Sequence, residues 1–158
     1  MKSKIKSCAI TLSLTLILLP VQADEYYKPV SKHNSVTFEE CSACHMAYSP
    51  EMLPQRSWET IMNNLESHFG EDASVSPGNF EQIKAYLTDN AADSGWFNTR
   101  FAHGISDENI PLRISETPYW IHEHREIHPD YWRSERVQSK SNCMACHRHA
   151  DRGGYDDD

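Results

Sequence analysis

The pattern of apolar and polar side chains along the chain predicts a few helices separated by irregular segments. The clearest helical pattern covers residues 57–69, where apolar side chains recur at a spacing of three or four and Ser57 is expected to cap the helix. Gly70 follows this stretch and is expected to end it. The polar segment 24–38 has no such pattern, so we predict that it is extended.

Two further helices are predicted from their starting residues. Residues 77–90 begin with a proline directly after Ser76, which is a favourable pair of capping and first helical residue. Residues 117–128 begin with Thr-Pro and stop before the next proline, which cannot continue a helix. The last stretch, residues 131–158, has no clean periodicity, and we expect it to be largely irregular.

The first 23 residues have the organisation of a secretory signal peptide. Three lysines within the first six residues precede an apolar stretch at residues 8–19, and Val-Gln-Ala at 21–23 offers small residues for cleavage before Asp24. An apolar stretch of about a dozen residues cannot cross a hydrocarbon layer of about 30 Å. We therefore predict that the chain is exported to the periplasm and that the mature protein has no transmembrane segment.

Composition and charge narrow the functional classes. Of the 158 residues, 39% are hydrophobic, which lies below the usual share of about 45–50% and argues against a large core made of protein alone. The formal net charge is −8, and loss of the signal peptide removes three lysines and no acidic residue, which brings it to −11. Phosphate backbones are bound by clustered Lys and Arg, and this acidic chain contains no run of basic residues. Nucleic-acid binding is therefore excluded. The nine histidines remain to be explained.

A five-residue pattern, C-x-x-C-H, occurs twice and uses four of the five cysteines. The copies are Cys41-Ser42-Ala43-Cys44-His45 and Cys143-Met144-Ala145-Cys146-His147. Two thiols at this spacing can each form a thioether bond to one haem, and the next histidine then lies under the iron as the proximal ligand. A four-cysteine zinc site would leave both histidines unexplained, and no strand–helix frame surrounds the pairs as in thioredoxin-like disulfides. We predict two covalently bound haem c groups.

The ligand on the opposite side of the first iron can be chosen from helical periodicity. His68 lies on the apolar face of the predicted helix 57–69, where a polar imidazole needs a partner, and iron would be one. Met52 and Met62 could also reach this position, so a haem with one histidine and one methionine ligand is the alternative.

Periodicity is less decisive for the second iron. On a helix, His124 and His128 share one face with Trp120, which leaves these two histidines tied. His128 stands beside a proline at the frayed end of the predicted helix, and this position favours His124 weakly.

These residues lie within longer blocks that resemble the small dihaem cytochrome c family of bacterial periplasms, the type found with an oxygen-binding monohaem cytochrome and a membrane cytochrome b. The resemblance covers about residues 38–155. Beside the two attachment motifs, its blocks are Trp58, His68-Phe69-Gly70-Glu71-Asp72-Ala73, Tyr86-Leu87, Asn90-Ala91-Ala92-Asp93, Arg113-Ile114-Ser115, Thr117-Pro118-Tyr119-Trp120, His124, Glu126-Ile127, Ala150 and Gly154. Each iron in that family has two histidine ligands. On this chain they would be His45 with His68, and His147 with His124.

The resemblance also implies a fold. It is mainly α-helical with much irregular structure, and it joins an N-terminal part similar to class I cytochrome c to an extended C-terminal part wrapped around the second haem. Here we expect the signal peptide at 1–23, the first haem-binding part at 24–93, a linking segment at 94–116 and the second haem-binding part at 117–158.

Two histidines on each iron leave no open coordination position, which favours outer-sphere electron transfer over catalysis at the metal. Histidine in place of methionine lowers the reduction potential, so we predict a low-potential electron carrier. A mature charge of −11 predicts a redox partner with a basic patch, and the resemblance names a monohaem cytochrome and a membrane cytochrome b. The alternatives are a peroxidase-like haem enzyme and the electron-entry subunit of a periplasmic nitrate reductase.

Overall fold

The computed structural model describes residues 27–156, so the predicted signal peptide lies outside the described residues. Regular structure in this range consists of α-helices and short 3-10 helices, without any β-strand. The α-helices are α1 (Val30–His33), α2 (Ser35–Cys41), α3 (Gln55–Met62), α4 (Pro77–Asp89) and α5 (Pro118–Glu123). The 3-10 helices are Pro50–Met52, Leu65–Ser67, Arg100–Ala102, Ile114–Glu116, Pro129–Arg133, Cys143–Ala145 and Ala150–Arg152. The predicted fold class, mainly α-helical with much irregular backbone, is confirmed.

The segment 24–38, predicted to be extended, is instead helical over most of the part that the structure describes. Helices α1 and α2 follow one another directly, and the Asn34 side chain between them accepts a hydrogen bond from the Thr37 backbone N–H at 2.8 Å. Both helices are too short for an apolar stripe to be read from the sequence, which is why the periodicity missed them. As a result, Cys41 is the last residue of a helix.

Helix α3 begins and ends earlier than predicted. It starts two residues before Ser57, which is not the cap but a fully buried residue inside the helix, and its last residue is Met62. Asparagine side chains compete for backbone hydrogen bonds, and the Asn64 amide donates to the Thr60 carbonyl at 2.7 Å just after the helix ends. His68 therefore lies in a turn beyond α3 and not on its apolar face.

Helix α4 agrees with the prediction, and it packs on α3 to form the first core. The Ser76 side chain accepts the Asn79 backbone N–H at 3.3 Å, as expected of the cap. The buried residues of this core are Leu53, Trp58, Met62, Ile83, Leu87 and Ala91. The indole N–H of Trp58 donates to the Pro50 carbonyl at 2.8 Å, so the ring is buried with its polar atom satisfied.

A second core joins residues from distant parts of the chain. Its buried members are Tyr27, Met52, Ala92, Phe101 and Trp120. The segment around Phe101 is also fastened to α3, because the Arg56 guanidinium donates to the carbonyls of Ser106 and Asn109, each at 2.8 Å. The predicted linking segment 94–116 is thus packed and hydrogen-bonded.

Helix α5 begins as predicted and ends early. Thr117 is fully buried, and its side chain caps the first turn. The helix ends at Glu123 and not near His128, because the next backbone hydrogen bonds span three residues, from Arg125 N–H to the His122 carbonyl and from Ile127 N–H to the His124 carbonyl, which is a turn and not a continued α-helix. His124 becomes the residue that closes α5. After it come only 3-10 helices, in agreement with the irregular structure predicted, and no helix within residues 27–156 is long and apolar enough to cross a membrane.

Candidate haem sites

The first attachment motif lies where α2 ends. Cys41 closes the helix, Cys44 and His45 follow in the next turn, and both thiols are free. Burial, with a smaller effect from Glu40, raises the pKa of the Cys41 thiol to about 11. His45 Nδ1 lies 2.7 Å from the Met46 carbonyl oxygen, which can only accept a hydrogen bond. Nδ1 therefore carries the proton, and the Nε2 lone pair remains available for a metal.

His68 faces His45 at a distance that fits one metal ion between two imidazoles. The two ring centres are 6.1 Å apart, and their planes differ by 23°. Imidazole nitrogens bind first-row metal ions at about 2.0–2.1 Å, so two imidazoles on opposite sides of one ion have ring centres about 6.3 Å apart. Burial and the neighbouring His45 lower the pKa of His68, which favours the neutral imidazole that metals bind.

The turn that carries His68 has an unusual backbone. Phe69 and Gly70 both have positive φ angles, 53° and 103°. A left-handed conformation is unfavourable for phenylalanine, so contacts must hold it in place. The Phe69 ring lies edge-on to the His68 imidazole with centres 4.8 Å apart, and the Arg113 guanidinium lies 4.3 Å from the centre of the Phe69 ring. These contacts fix the histidine from the solvent side.

The second attachment motif is formed by a 3-10 helix over Cys143–Ala145. The His147 backbone N–H donates to the Cys143 carbonyl at 2.8 Å, which brings the histidine back over the first cysteine. The thiols of Cys143 and Cys146 are free, and burial raises the pKa of Cys143 to about 11. The His147 Nδ1 atom is buried, and none of the described residues gives it a hydrogen-bond partner.

His124 faces His147 at the same separation as in the first pair. The ring centres are again 6.1 Å apart, but the planes are nearly perpendicular, at 87°. His124 Nδ1 lies 2.9 Å from the Trp120 carbonyl oxygen, so the Nδ1 proton is directed there and Nε2 remains available. Both predicted histidine pairs are therefore brought together at a distance that suits a haem iron.

The alternative ligands lie elsewhere. The His128 side chain is 77% exposed, and its Nδ1 accepts the Asp130 backbone N–H at 3.3 Å. Met62 is buried in the first core and Met52 in the second. Among residues 27–156, no group of three or more His, Cys, Asp or Glu side chains converges in a way that could hold a metal ion, which disfavours a four-cysteine zinc site.

One residue that the sequence did not single out, Tyr48, connects the two sites. Its ring is nearly parallel to the His45 imidazole, with centres 5.0 Å apart and planes 19° apart. Its hydroxyl donates to the carbonyl of Ser141, two residues before the second motif, at 2.7 Å. Burial and nearby Cys143 raise the pKa of Tyr48 to about 12, so the hydroxyl stays a donor at neutral pH. No local pattern predicts a contact over 93 residues.

Tyr155 is a second residue that the sequence did not indicate, and it covers the other side of His147. Its ring centre lies 5.6 Å from that of His147 and 5.6 Å from that of Tyr27. The Tyr27 backbone N–H donates to the Gly153 carbonyl at 2.8 Å. Tyr27 thus holds the turn around Gly153 and the Tyr155 ring next to the second site.

Proteins that are similar to this chain in sequence and structure are dihaem cytochromes c. Residues 37–155 match the protein family described as dihaem cytochrome c. A solved diheme cytochrome c from Rhodobacter sphaeroides is 46% identical over 77% of this chain and 96% of its own, with a TM-score of 0.72. A diheme cytochrome type c from Shewanella baltica is 34% identical over 78% of this chain and 87% of its own, with a TM-score of 0.64. A comparison with curated protein sequences gave no match.

We predict that Tyr48→Phe lowers the free energy of unfolding of the holoprotein by about 0.5–1.5 kcal/mol, because the hydrogen bond to the Ser141 carbonyl is lost. Denaturant unfolding of the variant and the wild-type protein measures the difference. Tyr86→Phe is the matched control, because the Tyr86 hydroxyl makes no hydrogen bond to the described residues. Equal losses in the two variants would contradict the role assigned to Tyr48.

Proposed function

The chain belongs to the dihaem cytochrome c family, and on this basis we propose that it carries electrons at low potential through two haems, each with two histidine ligands. Two covalently bound haem c groups and a role in electron transfer follow from the family. In this proposal, Cys41 and Cys44 form the thioether bonds to the first haem, and Cys143 and Cys146 form those to the second.

We assign His45 and His68 to the first iron, and His147 and His124 to the second. The observation that carries this assignment is the separation of the ring centres, which is 6.1 Å in both pairs. Two unrelated parts of the chain arrive at the same spacing, and that spacing is the one expected of two imidazoles on a single metal ion.

The low potential follows from these ligands and from what holds them. A haem iron with two imidazole ligands exchanges single electrons without an open coordination position, and imidazole in place of methionine lowers its potential. The carbonyls of Met46 and Trp120 accept the Nδ1 protons of His45 and His124. Such hydrogen bonds make the imidazole a stronger donor, which stabilises oxidised iron and lowers the potential further.

We propose the division of the chain into a first haem-binding part at 24–93, a linking segment at 94–116 and a second haem-binding part at 117–158. Each haem-binding part contains one attachment motif and the histidine assigned to the opposite side of the same iron. The linking segment has its own anchors, since Arg56 binds it from the first part and the Phe101 ring lies 4.9 Å from the ring of Tyr119 in the second.

The redox partner is proposed to dock over the first haem with a basic patch. Exposed carboxylates surround the segments of Cys41 and His68, and they belong to Glu39, Glu40, Glu66, Glu71 and Asp72. Around the second motif the exposed side chains are more often basic, and they include Arg133, Arg136, Lys140 and Arg148. A basic partner is therefore attracted to the first site. A monohaem cytochrome and a membrane cytochrome b are the partner candidates that the family resemblance adds.

We propose that the mature protein acts in the periplasm and begins at Asp24. The support is the pattern of the first 23 residues, in which lysines, an apolar stretch and a small-residue cleavage site follow one another. Attachment of haem to C-x-x-C-H motifs outside the cytoplasm requires such export.

We expect His68→Met and His124→Met each to change the spectrum of one haem and to raise the reduction potential of that haem, because methionine favours the reduced iron. Electronic spectra and potentiometric titration measure both effects. His128→Met is the control and should leave both haems unchanged. Unaltered spectra in the first two variants would refute the ligand assignment, and carbon monoxide binding by the reduced wild-type protein would favour the haem enzyme.

A second expectation concerns the docking surface. Glu39→Lys with Glu66→Lys should weaken association with a basic redox partner and reduce the dependence of the association rate on salt concentration. The control pair Asp107→Lys and Glu108→Lys changes the net charge by the same amount. These residues lie near the start of α3, where Arg56 binds the neighbouring carbonyls, whereas Glu66 follows the end of α3. The control pair should therefore have a smaller effect. Stopped-flow kinetics at several ionic strengths compares the variants. Equal effects of the two pairs would mean that only the total charge matters.

Intact mass spectrometry of the periplasmically expressed protein tests attachment and export together. The expected mass is that of the chain from Asp24 with two haems. Replacing Cys143 and Cys146 by serine should reduce it by one haem, because both thioether bonds of the second site are lost. A mass that retains the first 23 residues would overturn the proposed cleavage.

A further inference from the structure

The two histidine pairs have the same separation but different relative orientations. The imidazole planes differ by 23° in the first pair and by 87° in the second. We propose that Trp120 is a positioning residue that holds the His124 imidazole perpendicular to that of His147, so that the second haem differs electronically from the first. The inference rests on the proposed histidine ligation and extends it to the orientation of the ligands.

Trp120 holds the His124 ring through two separate contacts. The indole and the imidazole are nearly parallel, with planes 15° apart and ring centres 4.1 Å apart. The Trp120 carbonyl also lies 2.9 Å from His124 Nδ1. Rotation of the imidazole about its bond to a metal would turn the ring out of the stack and move Nδ1 away from the carbonyl. Trp120 therefore opposes this rotation through both its side chain and its backbone carbonyl.

Trp120 is itself held on several sides. Its side chain is buried in the second core, and its backbone N–H donates to the Thr117 side chain at 3.3 Å. The Trp132 ring centre lies 5.2 Å away, and the Lys140 ammonium lies 5.4 Å from the centre of the Trp120 ring. A cation at this distance from an indole is attracted to the ring. These contacts fix the plane of the Trp120 ring. The His124 imidazole, stacked on this ring, is held in nearly the same plane.

Among residues 27–156, no tryptophan stacks on His68 in the first site. The ring closest to His68 is that of Phe69, which meets it edge-on at 66°. Tyr48 lies nearly parallel to His45, at 19°. The stacked aromatic ring therefore lies on His45 in the first pair and on His124 in the second, and the two pairs differ in orientation, at 23° and 87°.

The orientation matters because the axial imidazoles interact with the iron d orbitals that hold the unpaired electron of the oxidised haem. Parallel imidazoles separate two of these orbitals in energy, whereas perpendicular imidazoles leave them close together. The first arrangement produces a rhombic low-spin signal in electron paramagnetic resonance, and the second produces a signal with a large maximum g value.

Electron paramagnetic resonance of the oxidised holoprotein tests the proposal. The wild-type protein should give one rhombic signal and one signal with a large maximum g value. Trp120→Leu should shift the second signal towards the rhombic type and leave the first unchanged, whereas Trp120→Phe should preserve both signals because a stacked ring is kept. Trp96→Leu is the control, since the Trp96 side chain is 95% exposed and is not among the contacts of either histidine pair, and it should preserve both signals.

Two rhombic signals in the wild-type protein would overturn the proposal, and an unchanged large-g signal in Trp120→Leu would overturn the role of the Trp120 side chain. If Trp120→Leu does not retain the second haem, the phenylalanine variant decides, and loss of the large-g signal in that variant overturns the proposal. Near-infrared magnetic circular dichroism separates this failure from that of the proposed function. Bands typical of two imidazole ligands would support the ligand assignment, whereas a band typical of histidine–methionine ligation would refute it.

Discussion

The distance between two facing imidazoles is the constraint on which the structure depends. An iron atom between two histidines requires ring centres about 6 Å apart, and each ring must present its Nε2 atom to the gap. In both proposed sites the two histidines come from separate segments, so the chain between them has to bring the rings to this distance. The packing of α3 on α4 and the closure of the second core serve this purpose, since they hold the turn of His68 and the end of α5.

Electron transfer between the two sites also requires a fixed distance and orientation between them. Tyr48 provides a direct connection, because its ring lies beside His45 of the first motif and its hydroxyl donates to the Ser141 carbonyl just before the second motif. The two sites also differ in their surroundings, with more exposed carboxylates near the first and more exposed basic side chains near the second. This difference in charge is the basis of the docking face proposed for the redox partner.

Local signals in the sequence predicted some elements well and others poorly. The starts of α4 and α5 follow from Ser76 and Thr117, since a side-chain cap is a contact between residues three apart. Helices α1 and α2 were missed because they are too short for periodicity, and α3 was drawn too long because asparagines interrupt an apolar pattern that continues to residue 69. His68 was singled out for its place on a helix, yet it lies in a turn beyond α3.

The sequence by itself determined the chemistry of the protein. Two C-x-x-C-H motifs indicate covalent attachment of two haems and predict the proximal histidines, because thiols and imidazole at that spacing are local requirements. Helical periodicity places His124 and His128 on one face, and only the tertiary structure shows that α5 ends early, so that His124 lies beside His147 and His128 is exposed. The orientation of each imidazole was also decided at this level, since it depends on rings and carbonyls that packing brings together and that periodicity does not reveal.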